Sequence, residues 1–100
     1  MKRPLRYHPL FADDVLGAAG WYESQGAALG GIFLDRVEEA IGLLVQDPER
    51  RGPGQFGIRY WPLRKFPFVG FYDVTTDEIL IVGVMHTARD AEKWIQRRRP

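Results

Sequence analysis

Three apolar runs in the second half of this 100-residue chain constrain its fold more than any other feature. IRYWPLR begins at Ile58, FPFVGFYDV at Phe66, and EILIVGVM ends at Met85. Each is rich in β-branched and aromatic residues, which suit a pleated, half-buried surface. Lys65 marks the first break, and Thr75, Thr76 and Asp77 the second. Apolar runs of strand length with short polar breaks predict a three-stranded antiparallel meander. Pro62 has no N–H for a ladder, so the first strand belongs at an edge or is broken there. The second strand places Phe66, Phe68, Gly70, Tyr72 and Val74 on one face and Val69, Phe71 and Asp73 on the other. The third is apolar on both faces, which predicts a central strand covered on both sides. One cover must come from the first half of the chain. The other must come from the carboxy-terminal segment or from another chain.

The first half supplies a helical hairpin. Residues 3–8, RPLRYH, read as a short extended run. Pro9 suits the first position of a helix, and Asp13 and Asp14 lie near its positive end. That helix runs to about Gln25, with Phe11, Val15, Ala18, Ala19 and Tyr22 near one face and Gly26 as its stop. A second helix, from about Leu29 to Gln46, carries Phe33, Val37, Ile41 and Leu44 on one stripe. It ends at Asp47, because Pro48 disfavours the α conformation in the residue before it. Gly30 and Gly31 cost about 1 kcal/mol each against alanine inside a helix; a close helix crossing would explain them. PERRGPGQFG then reads as a surface loop carrying Arg50 and Arg51. After the last strand, Thr87 and Asp90 resemble a capping box opening a short helix that sets Trp94 against the body. The expected order is β-α-α-β-β-β plus a short C-terminal helix. It makes an α+β fold, an antiparallel sheet packed on an N-terminal helical hairpin, as a single domain over residues 1–100.

Composition narrows the possible functions. With 45% apolar and 27% charged residues the chain is neither disordered nor membrane-spanning in character. There is no cysteine, so disulfides and thiolate metal sites are excluded. The basic amino terminus has no apolar run behind it to make a signal peptide, and a cytoplasmic location is expected. The net charge of +1 conceals an asymmetry. Residues 1–49 hold four cations against eight acids, whereas residues 50–65 hold Arg50, Arg51, Arg59, Arg64 and Lys65 and no acid. Such a segment favours an anionic partner, or else forms a solvated rim balancing acidic helices.

Few residues are left for chemistry. His8 and His86 are the only histidines, without metal-binding spacing, so no metal is expected. The glycines of PERRGPGQFG do not open a helix as a phosphate loop does. Ser24, the only serine, sits within a helix pattern. Arg59, Arg64, Lys65, His86 and Arg89 remain, at successive strand ends. Cleavage of RNA by its own 2′-hydroxyl needs a proton acceptor, a cation for the crowded phosphate and a proton donor. His86 has the chemistry for the proton roles and the arginines for the phosphate. The simpler reading of the same residues is that His86 ends a strand as a satisfied ring while the arginines face solvent. Trp61, Phe66, Phe68, Phe71 and Tyr72 could stack bases, although most fit a core better.

The runs YHPLFADDVLGAAGWYESQG, FLDRVEEAIGLLVQDPER, RYWPLRKFPFVGFYDV and ILIVGVMHTARDAEKW together resemble the RelE/ParE superfamily of toxins from bacterial type II toxin–antitoxin systems. The hairpin LRKFPF…FY and the VMHTARD segment are the most specific parts. The resemblance implies a small α+β toxin neutralised by an antitoxin lying across its hydrophobic surface, which would supply the missing cover of the sheet. Trp21, Trp61, Phe71 and Trp94 are the residues expected to meet that partner in a hetero-oligomer. RelE-like members cut messenger RNA on the ribosome; a member of that kind would use His86, Arg89, Arg64, Lys65 and Arg59 as its catalytic set. ParE-like members poison DNA gyrase and lack such a set. Ala88 stands where a RelE catalytic arginine would align, and Trp94 where its tyrosine would be. Tryptophan has no hydroxyl to donate. The HTARD segment, with His86, Arg89 and Asp90, looks more like the ParE side. Neither activity requires a cofactor, and an inactive relative kept as an interaction module is a third possibility.

Overall fold

The computed structural model describes residues 3–54 and 57–88. Six elements follow in order: β1 (Leu5–Tyr7), α1 (Phe11–Gln25), α2 (Leu29–Gln46), β2 (Arg59–Pro62), β3 (Phe68–Val74) and β4 (Ile79–His86). The strands form one sheet in the order β1-β4-β3-β2. The expected meander is present, since β2 pairs antiparallel with β3 and β3 with β4. The full sheet is mixed, because β1 joins parallel to β4, with Leu5 opposite Ile79 and Tyr7 opposite Ile81. The helical hairpin between β1 and the meander provides the long crossover that a parallel neighbour requires. As expected from their composition, β4 is interior and the proline-bearing β2 is an edge.

The helix ends show how local chemistry sets the hairpin. Pro9 is not the first helical residue; α1 begins at Phe11. His8 is the reason, because its carbonyl accepts from the Phe11 N–H at 2.9 Å and its Nδ1 from the Leu10 N–H at 3.1 Å, folding the chain into a turn first. Gly26 ends α1 as expected, its N–H donating to the Tyr22 carbonyl. The left-handed residue of this connection is Ala28, at φ 70°. Glu23 supports it, its carboxylate accepting from the Ala28 N–H at 3.1 Å and the Gly30 N–H at 2.9 Å. Two otherwise orphaned donors at the start of α2 are thereby satisfied. The close crossing expected of the glycines is made by Gly30 alone, where an added Cβ would stand 2.7 Å from the Ala19 carbonyl oxygen. Gly31 faces open space.

The main core lies between the hairpin and the sheet. Val15 and Ala19 of α1 and Phe33, Val37, Ala40 and Leu44 of α2 meet Trp61, Leu63, Tyr72, Ile79, Ile81 and Val84. Phe33 anchors it, fully buried, with ring centroids 5.4 Å from Tyr22 and 5.1 Å from both Phe66 and Phe68. Phe66 reaches this cluster from the β2–β3 turn, where Lys65 adopts φ 69°. A register shift between Phe71 and Tyr72 sets Phe71 opposite Gly83 and Tyr72 opposite Ile81. Val82 is the extra residue of that bulge, and it resets the alternation of β4. Ile81 and Val84 consequently reach the helix side, while Val82 and Met85 reach the other.

The other side of the sheet holds a second, smaller cluster. Ile58, Phe71 and Val82 are 0% exposed and Met85 5%, so this part of the sheet is buried without any second polypeptide. The patch is narrow, and Tyr60, Val69 and Leu80 pack around it. The expected helix after Thr87 lies outside the described residues.

Candidate functional site

The β2–β3 turn and the end of β4 meet at one end of the sheet. Phe68 pairs with His86, and the Thr87 N–H donates to the Pro67 carbonyl at 2.9 Å. The His86 ring stands edge-on to Phe68 at 5.2 Å, and its Nδ1 accepts the Ala88 N–H at 3.0 Å. One ring nitrogen is thus committed to the backbone, which leaves Nε2 as the only ring nitrogen for chemistry. Beside it runs a groove of about 880 Å³ between α1 and the sheet, lined by Asp14, Trp21, Tyr22, Phe68, Met85 and His86 among others. Burial pushes the Tyr22 phenol above its ordinary pKa, so Tyr22 stays neutral there. Trp21, 60% exposed, packs edge-on against Tyr22 at 5.0 Å.

Arg64 sits in the same turn, but its guanidinium is engaged. Its Nε donates to Glu39 Oε1 at 2.6 Å and its Nη2 to Oε2 at 3.0 Å, while Arg36 donates to Oε2 at 2.7 Å. The hydrogen bonds from Arg64, and the charges of both arginines, hold the Glu39 carboxyl down at about 2. The same hydrogen bond raises the pKa of Arg64. Bidentate pairing of this kind both orients and neutralises the arginine. Lys65 is exposed.

Arg59 is elsewhere. It pairs with Tyr72, four residues along β3 from Phe68, which at strand rise separates it from the His86 row by about 13 Å. Its Nη1 donates to the Arg51 carbonyl and, at 3.5 Å, to the Glu49 carbonyl, so it clamps the loop after α2. The Arg51 guanidinium lies 4.8 Å over the Trp61 ring, and the Tyr72 hydroxyl donates to the Pro48 carbonyl at 3.1 Å.

The residues expected to form a nuclease set are therefore only partly assembled. His86, Arg64 and Lys65 share one end of the sheet, Arg59 belongs to the opposite end, and Arg89 lies outside the described residues. Of the expected antitoxin anchors, Trp21 is accessible and Trp94 lies outside the described residues. Trp61 and Phe71, at 8% and 0% exposure, occupy core positions, because each strand face turns them inward. Glu39 was missed as a site residue. Its i, i+3 spacing from Arg36 is legible in the sequence, but its partner Arg64 is 25 residues away. Among the described residues no group of histidine or acidic side chains could hold a metal ion, and no helix is long and apolar enough to cross a membrane.

A helical hairpin laid on a four-stranded mixed sheet, with a basic turn beside the end of its central strand, defines the class of small α+β toxins of the RelE/ParE kind. Within it, residues 5–91 match the model of the family described as the ParE toxin of the type II toxin-antitoxin system, parDE, and the chain belongs to that family. A solved chain of the chromosomal ParDE TA system from P. aeruginosa is similar in fold, with a TM-score of 0.70 and 20% identity, over 85% of this chain and 96% of that one. No curated protein matches the sequence.

Proposed function

We propose that this toxin arrests growth when free by acting on DNA gyrase, and that a cognate antitoxin neutralises it by binding. The family match over residues 5–91 is the observation that carries this reading. The geometry supports the choice of target. A nuclease needs its cations and its proton-transfer group around one phosphate. Here Arg64 is neutralised by Glu39, and Arg59 clamps a loop at the far end of the sheet. The accessible Trp21 beside the groove gives an antitoxin an aromatic anchor on α1.

Purified toxin is expected to block supercoiling by gyrase at micromolar concentration and to accumulate cleaved DNA. Addition of the antitoxin should restore activity. Unimpaired supercoiling under those conditions, together with messenger cleavage at codon boundaries that disappears in His86→Ala, would move the target to the ribosome.

A further inference from the structure

The described residues divide their cations into two groups. Arg3, Arg6, Arg36 and Arg64 each meet a carboxylate, at 2.8, 3.0, 2.7 and 2.6 Å respectively. Arg50, Arg51, Arg59 and Lys65 form no ion pair among the described residues, and all four come from the acid-free stretch 50–65. Arg50 and Arg51 stand together on a loop whose backbone is pinned at several points. The Arg50 N–H donates to the Asp47 carbonyl at 3.1 Å and the Gly54 N–H to the Ile58 carbonyl at 2.7 Å. Tyr72 holds Pro48, and Arg59 holds the carbonyls of Glu49 and Arg51. The neighbouring Glu49 carboxylate is already taken by Arg3.

We propose that the Arg50–Arg51 loop is a preformed contact for the phosphate backbone of duplex DNA. The choice of partner rests on the reading of this toxin as one that acts on a DNA-bound enzyme. Arginine presents a planar fork that matches phosphate oxygens, and a guanidinium stacked on an aromatic face keeps its N–H edge free. Arg51 over Trp61 has that arrangement. Gly52, Pro53 and Gly54 beside it are exposed and carry no large apolar side chain, which favours a polyanion over an acidic protein segment. Pinning the loop beforehand lowers the ordering cost of binding.

Fluorescence anisotropy with a short labelled duplex, using the full chain, tests this without gyrase. Two phosphate contacts contribute about 1.8 to the slope of log affinity against log salt. Between 50 and 200 mM salt, wild type should therefore lose about 12-fold more affinity than R50Q/R51Q. R50K/R51K should retain most of the salt slope, and R6Q, which removes an arginine paired with Glu78, should change little. Circular dichroism establishes that each variant is folded. An R50Q/R51Q protein with wild-type affinity and slope overturns the proposal. So does displacement of the duplex as readily by polyglutamate of equal charge, which would assign the loop to an acidic protein. Loop-dependent duplex binding without gyrase inhibition would instead sink the gyrase reading alone, and gyrase inhibition without loop-dependent duplex binding would sink the loop alone.

Discussion

Substituting alanine at two adjacent glycines should change stability in opposite directions. Both Gly30 and Gly31 lie in the first turn of α2, where replacing glycine gains about 1 kcal/mol of helix propensity. At Gly31 nothing stands within 4 Å of the added methyl, so Gly31→Ala should keep most of that gain. At Gly30 the methyl meets the Ala19 carbonyl oxygen at 2.7 Å and Glu23 Oε1 at 3.0 Å. The first of these is backbone, so α1 itself must move. Overpacking of this kind costs about 1–3 kcal/mol. Displacing Glu23 also weakens the Gly30 N–H hydrogen bond at 2.9 Å, a further loss of about 1 kcal/mol. Set against the propensity gain, Gly30→Ala should destabilise by about 1–3 kcal/mol, which leaves the two variants about 2–4 kcal/mol apart. For a domain of this size each kcal/mol moves Tm by about 4–8 °C, so thermal and urea melts resolve the difference easily. A Gly30→Ala protein as stable as wild type would refute the close crossing and, with it, the hairpin geometry that seats Phe33 against Tyr22.

Two further outcomes follow from the polar contacts. Glu39, held at about 2 against 4.5 for an ordinary glutamate, contributes fully above that ordinary value and loses its contribution as pH falls toward 2. Tm measured across this range should show Glu39→Gln below wild type at pH 6 and the two converging in acid; parallel curves would mean that the Arg64 bridge does not persist in solution. Tyr72→Phe removes the hydroxyl that donates to Pro48 and should cost about 0.5–1.5 kcal/mol while hastening amide exchange at Gly54. Unchanged exchange there would show that the loop is held by other contacts.

The elements readable from sequence were those whose signal is local. The stop at Gly26, the stop before Pro48, the apolar stripe of α2 and the edge position implied by Pro62 each depend on a few neighbouring residues, and each is present. The candidate site was less legible. His86 and the turn carrying Arg64 could be placed near one another from hairpin connectivity alone. The capture of Arg64 by Glu39, and the inward turn of Trp61 and Phe71, depend on which distant surface a strand face meets.

By itself the sequence determined the six elements, their order, the apolar stripes and the acid-free segment 50–65, because turn residues and apolar periodicity act over a few positions of chain. Tertiary structure alone decided that β1 lies parallel beside β4, that Val82 bulges so that Ile81 and Met85 serve opposite cores, and which arginines are neutralised. Those outcomes are set by packing and charge between segments tens of residues apart, where the energy of a contact exists only once the fold has brought its two partners within reach.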